Sequence, residues 1–153
     1  PMTMAIFSPI AGRLSDKFEP RYLSTVGMAI TCFGLVMLSN LRIDSELNYL
    51  ILSLVITGLG FSLFSPPNVN AIMGSVEKKS YGSATGAMAT MRIIGQMSSM
   101  ILVTLIFALI IGSVEINQDN YLNLEEAIHT TFTIAAILCI PGLYFSMARG
   151  KVF

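Results

Sequence analysis

Three groups of polar side chains stand out in a chain that is otherwise strongly apolar. Arg92, Gln96 and Ser99 are spaced four and three residues apart, which on a helix puts them on one face, with Thr85 two turns earlier. The planar guanidinium of Arg92 suits bidentate or multi-carbonyl bonding. Two roles are open to it: reaching headgroups or a neighbouring helix's carbonyls, or contacting a substrate or gate inside a bundle. The second group, Asn68 and Asn70, comes directly after Pro66 and Pro67 and close to Ser65. Tandem prolines remove two helix donors and should kink or unwind a helix. The freed carbonyls then need partners, and these side chains are the nearest. Either the kink is structural and self-satisfied, or a broken helix lines a water-filled path with Asn68 or Asn70 touching substrate. The third group is Asp16, Lys17 and Arg21, in a short charged loop after Gly12. Such a loop can cap one helix and latch a neighbour through charge-assisted bonds, with Gly12 letting the helices approach; it can equally be solvated.

Other chemistry is poorly supplied. Two cysteines without CxxC spacing argue against a disulfide scaffold or a cysteine zinc site, and one histidine against a His-rich metal site. Cys32 reads as a small buried hydrophobe, and His129 as an interfacial packing residue rather than a proton relay. Span and loop alike lack a nucleophile–base set, so neither catalysis nor a cofactor or metal is expected. Nine Lys+Arg balance nine Asp+Glu, leaving no basic excess for nucleic acid.

The elements that must position these groups follow from where the charges fall. Hydrophobic residues make up 54% of the 153-residue chain, and mean hydropathy is +0.72. Charged residues are only 12%, against about 25% in soluble domains. Apart from Arg92 the charges cluster, leaving uncharged runs at Tyr22 to Leu41, Leu47 to Val76, Ile93 to Val114 and Ala127 to Ala148. Each reaches the roughly 20 residues a helix needs to cross the hydrocarbon. The expected fold is an all-α polytopic transmembrane bundle with spans at about 22–41, 48–74, 81–112 and 127–148. Residues 1–12 read as the end of a further membrane helix, so the chain is expected to be a piece of a larger protein.

Within the spans, Gly27 and Gly34 share a face suited to close packing. Gly58 and Gly60 sit mid-span, Gly82 and Gly86 are four apart, and Gly95 follows Arg92. Pro141 and Gly142 should bend the last helix, Asn123 and Glu126 have capping-box spacing before it, and Tyr144 and Phe145 suit an interfacial belt. Arg13, Lys17, Arg21, Lys78, Lys79, Arg149 and Lys151 fall on one side of the bilayer and Arg42 alone on the other. The positive-inside rule then puts loops 13–21 and 77–80 and the C-terminus in the cytoplasm.

The loop from Gly12 to Arg21 resembles the signature of the major facilitator superfamily: Gly, three residues, Asp, Arg/Lys, any residue, Gly, any residue, Arg, Arg/Lys. Gly12, Asp16, Lys17 and Arg21 match; Glu19 replaces the second glycine and Tyr22 the final basic residue. That form is similar to the weaker second copy of the signature, between the eighth and ninth helices, and four spans then fit helices nine to twelve of the core. The stretches Gly58 to Met73 and Tyr81 to Gln96 look like the C-terminal region of the drug:proton antiporter family with fourteen helices. The resemblance implies a proton-driven exporter of lipophilic or cationic compounds in a prokaryotic inner membrane, working by alternating access. It also implies that the second and third spans line the cavity, that Asp16 belongs to a cytoplasmic latch, and that the missing N-terminal helices carry any proton-binding carboxylate. Uptake of a nutrient or other organic solute by the same architecture, and a small non-transporting membrane partner protein, are the alternatives.

Overall fold

The computed structural model describes residues 2–15, 19–42, 44–112 and 121–148. Among these, every regular element is helical: α1 (Met2–Ser15), α2 (Pro20–Ser39), α3 (Leu47–Gly74), a 3-10 turn at Lys78–Ser80, α4 (Tyr81–Ile110) and α5 (Tyr121–Ala148). Four stretches are long and apolar enough to cross a membrane: Arg21–Ser39, Leu47–Gly74, Lys78–Ile110 and Tyr121–Met147, with hydropathy between 1.6 and 2.2. The fold is an all-α bundle of four helices of membrane-spanning length and one shorter helix.

Local chemistry explains several helix ends. α2 opens on Pro20, whose missing N–H would have no intrahelical partner there. α4 stops at Gly112, whose φ of +72° is open to glycine but strained for other residues. α5 already runs from Tyr121, so Asn123 and Glu126 lie inside the helix, and their spacing does not mark its cap.

In the main packing order α1 packs on α3, α3 on α2, α2 on α5 and α5 on α4. The seam between α2 and α3 is the closest, because small residues meet there. A Cβ placed on Gly27 would lie 2.6 Å from the backbone nitrogen of Phe64 and 2.8 Å from the carbonyl oxygen of Gly60. One on Gly60 would lie 2.7 Å from the carbonyl oxygen of Gly27, and one on Gly34 2.9 Å from the nitrogen of Thr57. Close backbone approach of this kind is how helices gain dispersion energy in lipid, where burying apolar surface gains little.

Several hydroxyl groups in the spans are satisfied without water, although the buried Ser24 Oγ has no partner among the described residues. Thr31 donates to the Gly27 carbonyl at 2.9 Å, Ser53 to Tyr49 at 2.8 Å, Thr57 to Ser53 at 2.8 Å and Thr131 to Ala127 at 2.7 Å, the back-bonding pattern expected where no solvent competes. Across helices, the Tyr49 hydroxyl donates to the Met37 carbonyl at 2.8 Å, and the Thr25 and Ser146 hydroxyls pair at 3.0 Å. Cys32 is half-buried between α2 and α5, its thiol 3.8 Å from the Ala136 carbonyl.

α4 is the least covered helix. Met91, Met97, Met100, Ile101 and Leu109 are all exposed, Leu109 at 76%. A row of large apolar side chains along one helix is suited to hydrocarbon or to other helices, not to water.

Candidate functional site: a cleft between α3 and α4

α3 and α4 are joined by the short connection over residues 75–80, yet they pack on each other sparingly and diverge into a cleft of about 500 Å³. From α3 it is lined by Phe61, Phe64, Ser65, Asn68, Val69 and Ile72, and from α4 by Ala84, Ala87, Met88, Met91 and Arg92. These positions recur at helical spacings of three and four, so each helix contributes one continuous face. The cleft lies in the half of both helices next to the connecting turn. Arg92 is about 16 Å along α4 from Tyr81 at 1.5 Å per residue.

The cleft unites two residues from separate sequence groups, Asn68 and Arg92. The Asn68 Oδ1 atom is buried with no hydrogen-bond partner. Leaving such an acceptor unpaired costs about 1–3 kcal/mol, so the position favours a ligand or side chain that donates to it. Arg92 is exposed, with no ion-pair or hydrogen-bond partner among the described residues. An arginine at this depth is expensive in lipid unless it is paired or faces a polar cavity.

Asn70, two residues after Asn68, goes elsewhere. Its amide donates to Ser15 Oγ at 2.7 Å, and Ser15 in turn donates to the Gly12 carbonyl at 2.7 Å. Asn70 therefore ties α3 to the end of α1 where the signature-like loop begins. α3 is continuously helical through Pro66 and Pro67, so the prolines do not unwind it. Pro67 is fully buried and Pro66 half-buried. Gln96 is exposed on α4, one turn beyond Arg92, and does not line the cleft.

The remaining described positions do not line the cleft. Arg21 is half-buried in the first turn of α2, its carbonyl accepting from the Thr25 hydroxyl at 2.8 Å. Gly58 faces Thr3 of α1, and Gly60 holds the α2–α3 seam. Gly12, Gly82, Gly86 and Gly95 have open space where a Cβ would stand. Pro141 is exposed within α5. Asp16 and Lys17 lie outside the described residues. Near the 3-10 turn, Lys79 and Glu77 form an exposed ion pair at 2.6 Å. Among the described residues no group of three or more His, Cys, Asp and Glu is placed to hold a metal.

Sequence reasoning singled out Asn68 and Arg92 but missed the apolar lining: Phe61, Phe64, Met88 and Met91. The three- and four-residue spacing of each set was available as a signal. Which apolar stripe of an all-apolar helix faces a cavity is not encoded in that spacing.

A bundle of apolar helices of spanning length defines an integral membrane protein. The model of the Major Facilitator Superfamily matches residues 1–150, and the chain belongs to that transporter superfamily. It is 32% identical over 151 residues to the riboflavin transporter RibZ of Clostridioides difficile (strain 630), covering 96% of this chain and 32% of RibZ. It is 28% identical over 156 residues to the uncharacterized transporter YebQ of Escherichia coli (strain K12), covering 99% of this chain and 31% of YebQ. A third relative, the uncharacterized MFS-type transporter YhcA of Bacillus subtilis (strain 168), is 31% identical over 106 residues, 69% of this chain and 20% of YhcA. The chain thus spans about a third or less of the length of these curated relatives. No solved structure matches it.

Proposed function

We propose that this chain is the C-terminal helical part of a proton-coupled exporter of lipophilic small molecules in a prokaryotic cell membrane, working by alternating access. The observation that carries this reading is the α3–α4 cleft, which Asn68 and Arg92 both line among phenylalanine and methionine side chains. A concave, mostly apolar site with a few convergent polar groups is the usual form of a small-molecule pocket, and about 500 Å³ lies in the ordinary range for one. The bare apolar rows on α4 and α5 suit packing against further helices of the same transporter, and those helices would carry the proton-binding carboxylate. The charge pattern of the loops supports a cytoplasmic C-terminus and a cytoplasmic turn at residues 77–80. In this reading Asp16, Lys17 and Arg21 belong to a latch at the cytoplasmic end.

The similarity to a protein named as a riboflavin transporter favours a second reading, carriage of a vitamin-like organic solute by the same cleft. The direction of coupling separates the two. Full-length protein in proteoliposomes with an imposed pH gradient should move an aromatic solute opposite to the proton flow. Movement with the protons, or independent of them, would replace export by antiport with solute uptake. Absence of protein-dependent flux for every aromatic solute tried would remove the transport reading itself.

A further inference from the structure

The cleft carries more information than its shape, because its charged and polar groups are few and the formal charge among them is positive. Resting on the reading of this cleft as the substrate path, we infer that it selects a fused-ring aromatic solute bearing an anionic or strongly hydrogen-bond-accepting group, and that it discriminates against organic cations.

Among the described residues Arg92 is the only one of the lining with a formal charge; neither α3 nor α4 brings a carboxylate to the cleft. Its guanidinium donors have no protein partner among the described residues. An unpaired guanidinium fork of this type binds carboxylates, sulfonates or paired carbonyls, with two parallel bonds when the acceptor is planar. Phe61 and Phe64 can offer flat apolar faces, and Met88 and Met91 adaptable thioethers that pack against ring edges. Asn68 adds the reciprocal requirement: its Oδ1 is unpaired, so an N–H or O–H on the same ring system would satisfy a buried acceptor. The combination describes a planar solute that accepts at one end and donates at the other.

An organic cation would gain cation–π attraction from the phenylalanine faces. It would also sit a few ångströms from Arg92, where repulsion at an effective dielectric of about 20 exceeds that attraction. The net sign is against the cation.

The test uses the full-length protein, purified in detergent on a cysteine-free background, with two radiolabelled bicyclic probes of similar size. These are naphthalene-2-sulfonate, an anion, and N-methylquinolinium, a cation. The sulfonate should bind about tenfold or more tighter than the cation. Arg92→Gln should remove most of that difference by weakening sulfonate binding, while Arg92→Lys, which keeps the charge, should preserve the preference. Ala87→Cys labelled with a bulky maleimide should block sulfonate binding. Equal binding of the two probes, or tighter binding of the cation, overturns the inference while leaving the cleft as the site if the Ala87→Cys block still works. A sulfonate preference unaffected by both the block and Arg92→Gln overturns the cleft as substrate path. Failure of both probes to bind overturns the inference as well.

Discussion

Arg92 is the residue on which site and membrane physics meet. In lipid it costs at least about 2.5–3.5 kcal/mol on insertion scales, an expense that snorkelling can relieve and that facing a water-filled cavity can also relieve. The cleft favours the second. Arg92→Lys keeps the charge and can still snorkel, but loses the planar fork; Arg92→Gln removes the charge and lowers the insertion cost. Both variants of the full-length protein should reach the membrane at parental levels and both should lose transport, by roughly tenfold or more if about 1.4 kcal/mol or more of charge-assisted bonding is lost. Initial rates in vesicles, normalised to protein inserted, decide it. Full transport by the glutamine variant would leave Arg92 with only a positional role at the bilayer.

The seam between α2 and α3 is the element on which the cleft's geometry depends. Gly27, Gly34 and Gly60 let the two backbones touch, and a methyl group at position 60 would meet backbone atoms that cannot rotate away. Gly60→Ala gains about 1 kcal/mol of helix propensity and loses about 1–3 kcal/mol to overpacking. A fall of a few degrees in melting temperature is expected for the detergent-solubilised full-length protein, measured by a thermal-shift assay. An unchanged melting temperature would mean that the helices separate at no cost. The proline pair sits on the same helix, within the stretch whose other residues line the cleft. Pro66→Ala with Pro67→Ala restores two backbone donors and should leave insertion unchanged while altering how α3 presents Asn68 to the cleft. Transport should fall with expression near normal; parental transport would make the prolines a packing detail.

At the scale of the whole molecule, the orientation proposed from loop charge is open to a direct test. Arg42 stands alone among Asp44 and Glu46 on one side, whereas Lys78 and Lys79 mark the other. Single cysteines replacing Arg42 and Asp119 should react with an impermeant maleimide added to intact cells. Those replacing Lys79 and Lys151 should react only after permeabilisation. The cleft lies in the half of α3 and α4 next to residues 75–80, so this pattern would make it cytoplasm-proximal. The reverse pattern would invert the proposed latch and the direction of access together.

Hydropathy and charge are one-dimensional properties, and the sequence by itself determined what depends on them: the existence of four spans and the class of protein. The glycine spacing of Gly27 and Gly34 also marked the packing face of α2, because a missing side chain permits close approach wherever it lies. The division of labour between Asn68 and Asn70 was not legible. Two residues on a helix are turned about 200° from each other, so they face opposite neighbours. Which one meets α1 and which one meets α4 depends on how the α2–α3 seam rotates the whole helix. Nor did the sequence pair Asn68 with Arg92. They come from different helices, and their meeting is set by the divergence of α3 from α4 after the connecting turn, a property of packed surfaces that neither segment carries alone.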